Sequence, residues 1–130
     1  MQDLVVQMKN IKRLIFIIFL FFNLNIVAQN IGYVQTKYNT SVVYDRNGRK
    51  LFSIDYNIGR VIGYSSKFII VNSKNYYYIY NSKGRKIRGL SKSSIGNIVG
   101  MNDDTFISIK GSYMCLWNMD GRKLESKSIR

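Results

Sequence analysis

YNSKGRKI, residues 80–87, is written twice more in this chain, as YDRNGRKL at 44–51 and as WNMDGRKL at 117–124. Aligned on Gly48, Gly84 and Gly121, the copies lie 36 and 37 residues apart. The agreement runs beyond the octapeptide. One period on, Gly59 and Gly63 find Gly96 and Gly100, Tyr76 finds Tyr113, Ile79 finds Leu116 and Tyr80 finds Trp117. Self-similarity at a fixed spacing of this length marks an array of supersecondary units, each burying its apolar face on its neighbour.

Each octapeptide has the same grammar: an aromatic residue, Asp or Asn, two variable positions, Gly, Arg-Lys and an aliphatic residue. This grammar predicts a β-hairpin. The side chains of Asp45, Asn81 and Asn118 can accept a hydrogen bond from the backbone two residues on. Gly48, Gly84 and Gly121 supply the positive φ of a type I turn closed by a bulge. These six are expected to be structural turn residues, and the flanking aromatic and aliphatic side chains to enter the core.

The rest of the period reads as further strands. The last repeat offers IGNIVGM, TFISI, YMCLWN and RKLESKSI, separated by the turn clusters Asn102-Asp103-Asp104 and Lys110-Gly111-Ser112 and by the hairpin. The middle repeat offers VIGYSS, KFIIV, NYYYIYN and RKIRGLS, and the first only GYVQTKY, TSVVYD and RKLFSID. No stretch from residue 29 onward keeps a period of 3.6, so the expected fold is all-β. It would comprise tandem four-stranded antiparallel sheets in repeats of about 30–57, 58–94 and 95–130, the first lacking its opening strand. Phe68-Ile69-Ile70-Val71 and Met114-Cys115-Leu116-Trp117 do not alternate. Continuous apolar runs imply strands buried on both faces, hence sheets lying between other sheets.

Repeats of this length, with YMCLWNMDGRKL leading into a fourth strand, resemble the blades of WD40-like β-propellers. The third strand of that family often ends in Trp-Asp; here the matching pairs are Tyr44-Asp45, Tyr80-Asn81 and Trp117-Asn118. The family's Gly-His element is missing because the chain has no histidine, so its buried His and Asp network does not carry over. YDRNGR also resembles, more weakly, the YD repeats of bacterial cell-surface and toxin-shell proteins. Closed single-chain propellers have at least about four blades. The resemblance therefore implies an incomplete propeller, with three readings open: a piece of a longer propeller, several chains closing one ring, or an open stack. Uncovered apolar blade faces imply self-association or docking on another blade-bearing protein.

Residues 9–28, KNIKRLIFIIFLFFNLNIVA, precede the repeats. Lys9, Lys12 and Arg13 form a positive n-region, Leu14 to Phe22 is unbroken apolar sequence, and Ala28 suits a cleavage site. Residues 1–28 therefore read as a helical signal peptide, with Met8 the more natural start and 1–7 an extension. The apolar run is too short for a stable membrane span. An exported chain starting near Gln29 is expected, periplasmic, on the outer surface or extracellular in a bacterium. Such a location argues against nucleic acid as partner.

Composition narrows the chemistry. With no histidine and a single cysteine, Cys115, the chain lacks the usual general base, an internal disulfide and a thiolate metal site. Asp55, Asp103, Asp104 and Glu125 show no metal-loop or glycosidase spacing. No catalytic residue, metal or cofactor is expected, and Cys115 reads as a small core residue. The charge is +13. If the hairpins open on one side, Arg49 and Lys50, Arg85 and Lys86, and Arg122 and Lys123 form a basic arc, joined by Lys83 and Arg88. That arc is the candidate contact for an anionic glycan. Tyr76, Tyr77, Tyr78 and Trp117 are candidates for stacking on a neutral sugar, with Tyr33 and Tyr38 in the irregular first repeat.

Overall fold

The computed structural model describes residues 30–130; the expected signal peptide, its helix and its cleavage site lie outside the described residues. Eleven strands are described: β1 (Ile31–Lys37), β2 (Thr40–Asp45), β3 (Lys50–Asp55), β4 (Arg60–Tyr64), β5 (Phe68–Asn72), β6 (Tyr76–Asn81), β7 (Lys86–Ser91), β8 (Asn97–Asn102), β9 (Thr105–Lys110), β10 (Tyr113–Asn118) and β11 (Lys123–Ser128). They form three separate antiparallel meanders, β1-β2-β3, β4-β5-β6-β7 and β8-β9-β10-β11. Among the described residues the array is open rather than closed into a ring, and the first sheet has three strands.

Each sheet has a forward face, turned to the next sheet, and a rear face, turned to the one before. The forward face of the first sheet puts Val43 and Ile54 against Ile69 and Val71 on the rear of the second. Tyr78 and Tyr80 pack at the edge of the same cluster, where burial, then the neighbouring Tyr78 phenol, push the Tyr80 hydroxyl above its ordinary range. The forward face of the second sheet puts Phe68, Ile70, Tyr77, Ile79 and Leu90 against Phe106, Cys115 and Trp117 on the rear of the third. Alternate residues of β5 thus serve two cores. All four side chains from Phe68 to Val71 are 0% exposed, the double burial that their lack of alternation predicts. At about 1.5–3 kcal/mol per fully buried large side chain, these junctions supply most of the driving force for stacking.

The second apolar run departs from expectation. Cys115 and Trp117 are buried, but Met114 is 38% exposed and Leu116 only half-buried. The residues are apolar throughout, yet only the rear face of the third sheet has a described neighbour. Three smaller differences concern boundaries. Asn102 and Lys110 complete strands, so the two turns shrink to Asp103-Asp104 and Gly111-Ser112. A single helical turn, α1 (Lys92–Ile95), follows β7. It exists to deliver Ile95, 1% exposed, into the second core, and four residues are too few to show a 3.6 period.

Consecutive turns of a meander lie at alternate ends of the sheet. The β2–β3, β6–β7 and β10–β11 hairpins therefore share one end with the β4–β5 and β8–β9 turns. Hydrogen bonds stitch that end together. Ser65 Oγ donates to the Asp103 carbonyl (2.5 Å) and Ser66 Oγ to Asp103 Oδ1 (3.0 Å). The Met119 N–H donates to the Asp104 carbonyl (2.8 Å).

Candidate functional site

The hairpin end is built three times from one set of bonds. Asp45 Oδ1 accepts from the backbone N–H of Asn47 (2.9 Å) and of Arg49 (2.8 Å). Asn81 Oδ1 accepts from Lys83 and Arg85 (both 3.0 Å). Asn118 Oδ1 accepts from Asp120 (3.1 Å) and Arg122 (2.9 Å). The N–H of Gly48, Gly84 and Gly121 closes each turn onto the carbonyl of Asp45, Asn81 and Asn118, at 3.2, 3.0 and 3.0 Å. The three glycines have φ of 81°, 80° and 84°. A register shift follows in each pair of strands, between Val43 and Tyr44, Ile79 and Tyr80, and Leu116 and Trp117. Asp45 alone of the three Asx residues leaves a buried atom, Oδ2, without a partner.

Successive hairpins also nest on the sheet behind them. A Cβ on Gly84 would lie 2.9 Å from Phe52 Cγ in β3, and one on Gly121 would lie 2.9 Å from Arg88 Cδ and Leu90 Cδ2 in β7. The turn glycine therefore serves both backbone twist and close packing. Among the described residues Gly48 has no such sheet behind it, and its Cβ would meet the Tyr33 hydroxyl at 3.9 Å.

This nesting sorts the predicted cations. Arg49, Lys50, Lys83, Arg85, Lys86, Arg88, Arg122 and Lys123 are all exposed, on the three hairpins and the strands that follow them. They are not equivalent. The Lys86 amine sits 4.8 Å over the Tyr78 ring and that of Lys123 5.4 Å over Trp117. Arg88 Nη1 donates to the Asp120 carbonyl (3.3 Å), so its guanidinium clamps the next hairpin. Arg49, Arg85 and Arg122 stand at one structural position in three adjacent turns. Packed sheets lie about 10 Å apart, which sets the scale of their spacing.

Two of the six aromatic candidates are buried and three are exposed. Tyr77 is buried and its hydroxyl donates to the Gly96 carbonyl (3.0 Å). Trp117 is buried, stacks on Phe106 at 6.1 Å, and its Nε1 donates to Ser108 Oγ (2.9 Å). Tyr78 lies between the first core and Lys86, while Tyr76, 46% exposed, stacks on it at 6.0 Å. Tyr33 stacks on Tyr44 at 4.7 Å, and Tyr38 is 90% exposed beside Lys37. The exposed rings of Tyr33 and Tyr38 belong to the first sheet and that of Tyr76 to the second.

The carboxylates are equally dispersed. Asp55 Oδ1 accepts from the Asn57 N–H (2.9 Å), and Asp103 ties down Ser66. Among the described residues no group of three or more His, Cys, Asp or Glu could hold a metal ion. Nor is any described helix long and apolar enough to cross a membrane. The uncovered apolar blade face that the sequence implied takes the form of a depression of about 230 Å³ on the forward face of the third sheet, lined by Ile107, Met114, Leu116, Glu125 and Lys127. The signal was present in the repeat, since Ile107 and Leu116 stand where Ile70 and Ile79 are buried.

Compared with protein-family models, with curated proteins and with solved structures, the chain matches none.

Proposed function

We propose that this protein is an exported, non-enzymatic binding module made of blades of an incomplete β-propeller, and that its hairpin end holds an extended anionic partner such as a sulfated or phosphorylated glycan. The observation that carries this reading is the recurrence of Arg49, Arg85 and Arg122 at one position of three stacked hairpins, with neighbouring Lys86, Lys123 and Arg88 engaged by the protein itself. Cations repeated at the spacing of packed sheets suit a polymer with regularly placed charges better than one compact anion. Guanidinium groups suit it further, because their planar forks pair with sulfate and phosphate oxygens two at a time.

A matched control is built into the fold. Lys37, Lys74 and Lys110 are exposed at the β1–β2, β5–β6 and β9–β10 turns, at the opposite end of each sheet. Changing Arg49, Arg85 and Arg122 together to Gln should lower the salt needed to elute the protein from a sulfated resin. Changing the three lysines to Gln removes the same charge from the other end and should lower it less. Equal losses would show that net charge alone is being read, and the site would fall. Export rests on Lys9, Lys12, Arg13 and the apolar run after them. The intact mass of protein recovered outside the cytoplasm should match a chain beginning near Gln29; recovery of only unprocessed cytoplasmic chain would refute it.

A further inference from the structure

The depression over Ile107, Met114 and Leu116 is the forward face of a sheet that has no sheet in front of it among the described residues. Both strand register and the repeat say so. Leu116 pairs with Ile107 as Ile79 pairs with Ile70 one period earlier. Ile70 and Ile79 are 0% exposed under the third sheet, whereas Ile107, Met114 and Leu116 belong to neither core.

Two junctions within the molecule show what covers a forward face: each time it is the rear face of another sheet. Among the described residues one rear face is also uncovered, that of the first sheet. There Tyr44 stands where Tyr80 and Trp117 stand in the later sheets, stacked on Tyr33 and preceded along β2 by half-buried Val42. We propose that the forward face of the third sheet docks on the rear face of the first sheet of a second copy of this chain, head to tail. The proposal rests on the blade reading above and extends it to assembly.

Charge supports this choice of occupant. At the internal junction Arg88 of β7 clamps the β10–β11 hairpin, whose turn carries Asp120. One period on, the place of Arg88 is taken by Glu125, the only glutamate in the chain; it pairs with Leu116 as Arg88 pairs with Ile79. The hairpin that would nest on Glu125 is β2–β3 of the second copy, where exposed Arg46 stands in place of Met119 and Asn47 in place of Asp120, and whose Gly48 has no sheet behind it among the described residues. As the sheet face exchanges a base for an acid, the hairpin loses an acid and gains a base, the complementarity that a matched junction requires. A symmetric pairing of two forward faces would instead set Glu125 near Glu125 and leave Gly48 bare. A head-to-tail junction repeats until it closes a ring or grows a filament.

The test uses the purified protein without any polyanion. Its mass by light scattering at about ten micromolar should be at least twice that of one chain, and Leu116→Lys should return it to one chain with its circular dichroism unchanged. Should that variant not melt cooperatively, Glu125→Arg, on an exposed side chain, carries the same arm. The mode is tested by cysteine pairs. Phe68 and Phe106 meet across the internal junction with ring centroids 6.4 Å apart, and one period outward their places are taken by Thr105 and Tyr33. A mixture of Thr105→Cys and Tyr33→Cys chains should form a disulfide-linked dimer that neither forms alone. A single-chain mass for the unaltered protein, association that survives both surface variants, links between like chains, or no link in the mixture would each overturn the proposal. None of these outcomes bears on retention by a sulfated resin through Arg49, Arg85 and Arg122, so the two readings fail separately.

Discussion

Gly48, Gly84 and Gly121 share a φ near 80°, yet they do not share an environment. Placing a Cβ in the left-handed region costs about 1–2 kcal/mol for backbone reasons alone. That is the whole cost expected at Gly48, where among the described residues the new methyl group meets nothing closer than 3.9 Å. At Gly84 it meets the Phe52 ring root at 2.9 Å, and forcing a methyl group into a packed junction adds about 1–3 kcal/mol. At Gly121 the atoms in the way belong partly to the flexible Arg88 chain, which can yield. Alanine should therefore destabilise in the order Gly84, Gly121, Gly48, read as urea midpoints at constant m-value. Equal costs at Gly84 and Gly48 would mean that the hairpins do not nest on the preceding sheet. Asp45, Asn81 and Asn118 illustrate the other half of the turn: one side-chain oxygen satisfies two backbone donors that bulged strands would otherwise leave exposed.

At the scale of the element, legibility followed how local the cause was. The octapeptide carries its turn within itself, so its Asx, Gly and bulge could be read directly from letters. β5 could be read too, because an apolar side chain at every position has no stable home except between two layers. β10 has the same apolar texture, and the same inference pointed to burial on both faces. There the letters state a requirement, while burial depends on whether a second sheet is in place. The same distinction explains the basic arc. Its six paired cations could be placed on hairpins by spacing, but which of them remain unengaged depends on neighbours. Lys86 and Lys123 turn back over the aromatic rings of Tyr78 and Trp117, and Arg88 reaches across to another sheet. Contacts between residues distant in sequence leave no trace in the spacing of a single strand. α1 was missed for a simpler reason: one turn has no period.

For the whole molecule, the two proposals meet at the hairpin end. One chain presents three arginines at equivalent positions, one for each sheet. If copies stack head to tail, the hairpin of the first sheet follows that of the third, and the row of arginines continues across the junction. Binding to a long polyanion would then gain from multivalency, since a second chain engages at the high effective concentration set by the first. Leu116 allows this to be separated from net charge. Leu116→Lys adds a positive charge to a chain already at +13 while disrupting the forward face. If the resin reads charge alone, the variant should elute at slightly higher salt than the parent. If the resin reads a continuous row of arginines, the variant should elute at lower salt despite its extra cation. Its elution should also cease to depend on protein concentration. The opposite shift, with assembly abolished in the same sample, would confine anion binding to single chains and leave the assembly without a part in it.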